Sequence, residues 1–90
     1  MQKSVHTAEY AIVRSELRAL REKADLSQRE LANRLRVRHS WVAKVEAGER
    51  RIDLLEFCWF VAACGVDPQS FAQRLLRRIL QHQRKGGRNK

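Results

Sequence analysis

Only one proline occurs in the chain, Pro68, and it directly follows Asp67, where a helix can begin, so no helix interior is broken by one. Glycine is also scarce: there are four in 90 residues, two of them adjacent near the C-terminus. No stretch alternates apolar and polar residues, so the signal of a half-buried strand is absent. These absences predict an all-α fold. The longest apolar run, Phe57 to Gly65, falls far short of the ~18 residues a membrane span needs. No apolar block follows the first lysine, so no signal peptide is expected and a cytoplasmic location is, or a nucleoid-associated one in a bacterium. The two cysteines, Cys58 and Cys64, lie on one predicted helix and point in different directions, since six residues turn a helix by about 240°. With no CxxC pattern and no Cys/His cluster, neither a zinc site nor any other cofactor is expected, and both thiols read as core fillers. His6, His39 and His82 have no partner pattern, and no nucleophile–base pair or phosphate loop occurs, so an enzyme is not expected.

What the chain does have is positive charge, unevenly placed. The formal net charge is +9. Residues 27–51 carry seven basic and three acidic groups; residues 52–73 carry three acidic and no basic ones; residues 74–90 carry seven basic and no acidic ones. A polyanionic partner fits the first and last of these segments. The middle one suits a face turned away from it.

Helix starts are marked unusually well. Ser27 with Glu30, and Asp53 with Glu56, are capping boxes. Leu26 with Leu31, Ile52 with Phe57, and Val66 with Phe71 are hydrophobic staples across the same starts and that of Pro68. Five helices are predicted: from Thr7 or Ala8 to Lys23, from Ser27 to Leu35, from His39 to Ala47, from Asp53 to about Gly65, and from Asp67 to about Gln83. Leu17, Leu20, Leu31, Ala32, Val42 and Val45 are the expected inward residues, with Val37 buried beneath the turn at 36–38. Residues 1–6 read as a loose arm, 7–83 as one domain, and 84–90, with no apolar residue, as a disordered basic tail.

The stretch Leu26 to Glu49 has the spacing of a helix-turn-helix. From Leu17 to Pro68 the chain resembles the XRE-like, phage repressor and Cro-type family of compact five-helix DNA-binding domains. The resemblance rests on Leu17, Leu20, Arg21, Leu26-Ser27-Gln28, Glu30-Leu31-Ala32, Leu35 and Val37. It continues through Ser40, Val42, Val45-Glu46, Gly48, Arg50 and Val66-Asp67-Pro68. It implies a transcriptional regulator that binds double-stranded DNA. His39, Ser40, Lys44 and Trp41 would read bases; Gln28, Arg29, Arg36, Arg38, Arg50 and Arg51 would hold phosphates. Arg21 and Glu46 would form a structural ion pair. Three positions depart from the family pattern. Arg36 replaces a usual glycine, Arg38 a usual Ser or Thr cap, and Ala47 a common Asn. Either a slightly strained turn or a left-handed Arg36 is therefore expected, and the third helix is expected to lack a side-chain cap.

The fourth helix is apolar nearly all round, which predicts burial on more than one side. A homodimer on a palindromic operator is expected, with Trp59, Phe60, Leu75, Leu76, Ile79 and Leu80 at its interface. A regulatory protein partner fits a chain with no ligand domain of its own. Other readings stay open: an adaptor or antitoxin-type partner on the same fold, and RNA binding through the tail.

Overall fold

A computed structural model describes residues 7–84. The expected arm, and the tail beyond Arg84, lie outside the described residues. Five helices follow in order: α1 (Ala8–Lys23), α2 (Gln28–Leu35), α3 (His39–Ala47), α4 (Leu54–Ala63) and α5 (Pro68–His82).

Each predicted start forms with the chemistry that announced it. The Ser27 hydroxyl accepts from the Glu30 backbone N–H at 3.0 Å, and the Glu30 carboxylate accepts from the Ser27 N–H at 2.8 Å. Asp53 and Glu56 repeat the exchange at 2.8 and 3.0 Å. Thr7 caps α1 and Asp67 caps α5 by a one-way bond, each side chain accepting from the backbone N–H three residues on, with Pro68 in the first turn of α5. Bonds of this kind to otherwise orphan N–H groups contribute about 1 kcal/mol each. They also hold the Glu30 and Asp67 carboxyls below the ordinary carboxylate range. Only α3 starts without a side-chain bond, because Arg38 has no acceptor to offer.

The helix ends use positive φ. Arg36 closes α2 at φ 60°, the left-handed one of the two outcomes open at this position, and Gly48 closes α3 at φ 79°. Asp25, at φ 61°, is a left-handed position the sequence did not announce. Short polar Asp tolerates this conformation better than most residues.

Residues from all five helices meet in one core. Leu17, Leu31, Val42, Val45, Phe60 and Val61 are fully buried. Phe57 and Phe71 bring α4 and α5 together, their ring centroids 5.9 Å apart. Arg34 on α2 donates to the carbonyl of Ala63 at 2.8 Å, placing a cation at the negative C-terminal end of α4. Three expectations are corrected. Phe60 is 0% exposed and Leu75 7%, so both belong to the protomer's own core and are not available to a partner. Val37 is 37% exposed, because it lines an open groove with Leu35 and Trp41 and is not covered beneath the turn.

Candidate nucleic-acid interface

Successive residues of a helix are about 100° apart, so α3 divides into two faces. Val42, Val45 and Glu46 are buried. His39, Ser40, Lys44 and Ala47 are exposed, and Ala43 is half-buried beside them. The exposed side offers an imidazole, a hydroxyl and an ammonium, interleaved with two methyl groups. Groups of these three kinds have the donors and acceptors to pair with base edges.

The buried side is held by an ionic clamp. The Glu46 carboxylate accepts from Arg21 Nε at 2.6 Å and Nη2 at 3.0 Å, a bidentate pairing. It also accepts from Gln28 Nε2 at 2.9 Å. Arg21 Nη1 donates to the Leu26 carbonyl at 2.7 Å. The pair joins α1 to α3, and Gln28 adds the first turn of α2. The bond to Glu46 raises the Arg21 pKa above its ordinary value. Gln28 is half-buried, and its second amide proton remains for an outside acceptor.

The segment after α3 is anchored by a residue the sequence reading missed. Tyr10 on α1 is buried; its hydroxyl accepts from the Ile52 N–H at 3.0 Å and donates to the Arg50 carbonyl at 3.3 Å. The contact spans some forty positions, and nothing local to Tyr10 announces it. Arg14 lies over Gly48. A Cβ at Gly48 would stand 2.8 Å from Arg14 Nε, a contact that the flexible arginine can relieve by shifting, so it is the positive φ that calls for glycine there.

The six expected phosphate contacts divide. Arg29, Arg36, Arg38 and Arg51 are exposed, and none has a carboxylate partner among the described residues. The Arg51 guanidinium sits over the Tyr10 ring at 5.4 Å. Arg50 is corrected. Its guanidinium forms a two-pronged pair with Glu56, both bonds 3.0 Å, and lies 5.2 Å over the Trp41 ring. It ties the loop to α4, and the same pairing holds the Glu56 carboxyl below its usual range. Opposite charges flanking the Asp53 cap were the available signal. Trp41 is half-buried on the α4 side of α3, packed against the core beneath Arg50 and away from the His39–Ser40–Lys44 face.

The exposed apolar residues do not form one patch. Leu54 and Leu76 line a groove on the α1–α5 side of α4, together with Tyr10, Val13 and Phe57. Leu80, on the same side of α5 as Leu76, is 50% exposed. Trp59 lines a second groove, on the α2–α3 side. Ile79 is half-buried.

Two short helices, a left-handed turn between them, an ionic brace behind the second and a free polar face in front define a helix-turn-helix domain. The helix-turn-helix domain family matches residues 13–73. A solved structure of an XRE-family like protein from Pseudomonas syringae pv. tomato str. DC3000 is 36% identical. It superposes with a TM-score of 0.76 over 82% of this chain and 90% of that one. No significant match exists among curated proteins. The chain belongs to the XRE-like helix-turn-helix family and is a DNA-binding regulator of that type. Among the described residues no helix is long and apolar enough to cross a membrane.

Proposed function

We propose that the protein is a sequence-specific transcriptional regulator that binds a palindromic operator in duplex DNA as a homodimer, with α3 in the major groove. The observation that carries this is the division of α3. Its inner face is fixed by Arg21, Glu46 and Gln28, while His39, Ser40 and Lys44 stay free. Lys44 suits the O6 and N7 acceptors of guanine; His39 and Ser40 can each donate or accept. Arg29, Arg36, Arg38 and Arg51 supply sequence-independent phosphate contacts. Gln28 adds a donor at the N-terminus of α2, where the helix dipole favours an anion.

Dimerisation uses Leu54, Leu76 and Leu80. They are 77%, 55% and 50% exposed, a large apolar surface for a protein of this size to leave in water. A two-fold axis through this face sets two reading helices roughly 34 Å apart, one turn of duplex.

Selection from random duplexes at near-physiological salt tests the reading; an enriched palindrome is expected, and no enrichment at all refutes it. Lys44→Ala changes which sequences are enriched. Arg51→Ala weakens all sites alike and lowers the salt slope by about 1. Sedimentation tests the dimer: Leu76→Glu should yield folded monomers, and a wild-type protein monomeric at high micromolar concentration removes the two-fold model.

A further inference from the structure

The second apolar groove has no part in the reading above. It lies between the end of α2, the turn, α3 and α4, with a volume of about 360 Å³. Leu35, Val37, Trp41, Trp59, Ala62 and Ala63 line it. The volume is at the lower limit of ligand pockets, enough for one or two large side chains rather than a cofactor. Trp59 is 58% exposed although it stands on a helix with no basic residue, and nothing else in the fold uses its ring. Exposed Trp beside Arg is the composition of protein-interface hot spots.

Charge decides what fits. The one acidic residue of the lining, Glu56, is already neutralised by Arg50. Arg34, also in the lining, donates only to a neutral carbonyl. Arg36 and Arg38 flank Val37 in the chain, and both are exposed. None of these three has a carboxylate partner among the described residues. An apolar floor with the unpaired Arg34 in its lining, and with Arg36 and Arg38 next in the chain to its Val37, favours an occupant that is apolar and acidic together. DNA meets the rim but offers little to two tryptophans.

We propose that this groove docks a short acidic segment of a partner protein, which seats one or two bulky apolar side chains between Trp41 and Trp59 and sets its carboxylates against Arg34, Arg36 and Arg38. The segment is identified by that chemistry alone. The groove opens on the Trp41 side of α3, not on the His39–Ser40–Lys44 side; Arg36 and Arg38 serve both readings, so docking is tested on the protein without DNA.

The experiment is selection of a displayed library of random twelve-residue peptides on the full-length protein. The enriched peptides are then synthesised and titrated by tryptophan fluorescence. Peptides pairing Leu, Ile, Phe or Trp with two or more Asp or Glu are expected. Their binding should weaken roughly tenfold or more in Trp59→Ala, and severalfold in Arg38→Glu and in high salt. Thermal melts of both variants check that they fold, as exposed positions should allow. Lys44→Ala serves as the control and leaves peptide binding unchanged. The proposal is overturned if no peptide enriches, if the enriched peptides lack acidic residues, or if Trp59→Ala binds them as wild type does. It is also overturned if Trp59→Glu dissociates a wild-type dimer, which makes the occupant a second copy, or if Trp59→Ala abolishes duplex binding, which makes it DNA.

Discussion

Replacing Arg21 by Met should be the most damaging single change at the brace behind the reading helix. In the native protein the Glu46 side chain is 3% exposed and that of Arg21 9%, so both charges are out of water. Glu46 accepts three bonds of 2.6–3.0 Å, two of them from Arg21. Without Arg21 the carboxylate keeps Gln28 alone, a neutral donor, and the Leu26 carbonyl loses its bond as well. Stranding one partner of a buried pair costs about 3–5 kcal/mol. A chain of this length has about 5–15 kcal/mol in all. A loss of ~3 kcal/mol lowers Tm by about 12–24 °C in a domain of this size.

Urea unfolding followed by tryptophan fluorescence measures the loss, and two further variants interpret it. Arg21→Met with Glu46→Leu removes both charges and fills the space, so most of the stability should return. Glu46→Gln should fall between, because the amide keeps one acceptor oxygen for Arg21. A loss below ~1 kcal/mol in Arg21→Met, or a double variant no better than the single, refutes the argument that the pair is a buried structural clamp.

Tyr10→Phe should cost about 1–2 kcal/mol by orphaning the Ile52 N–H, and hydrogen exchange should speed up at that amide. Gly48→Ala should destabilise by about 1 kcal/mol, since φ is 79°, whereas Arg36→Gly should stabilise by up to about 1 kcal/mol; chemical denaturation reads both. Glu30, Glu56 and Asp67 titrate below their ordinary values of 4.5, 4.5 and 3.8. Their contribution is therefore complete above about pH 4.5 and is lost as pH falls through the lowered values. Tm should be flat from pH 7 to 5 and drop below that, with Glu56→Gln flattening the drop.

What the sequence revealed and what it concealed follow the range of the interactions. A capping box lies within three residues of itself, so Ser27 with Glu30 and Asp53 with Glu56 were legible, and with them the helix map. That position 36 is unusual was legible because a glycine is usual there, but whether the turn strains or Arg36 turns left-handed was settled only by the folded chain. Tyr10 was not: its two bonds cross from α1 to the loop beyond α3, and only the folded chain brings them together. Arg50 misled because an arginine beside a helix-turn-helix reads as a phosphate ligand, while the nearby Glu56 competes for it. Phe60 and Leu75 misled for another reason. An apolar helix announces that it is buried on more than one side, but not which residues the protomer keeps for itself.

The same division separates the steadier parts of the site from the exposed ones. α3 begins at Arg38, which gives it no cap, and after a turn held by the strained Arg36. It is held instead from behind, by Val42 in its first half and by Val45 and the Glu46 clamp near its other end. Replacing the turn arginines by the family's glycine and serine would therefore firm the start of α3 but remove two cations from the surface. Affinity for duplex should then fall and its salt slope flatten even as the fold gains stability. The local strain is retained where the charge is exposed, and the compensation lies in the core that the charge does not touch.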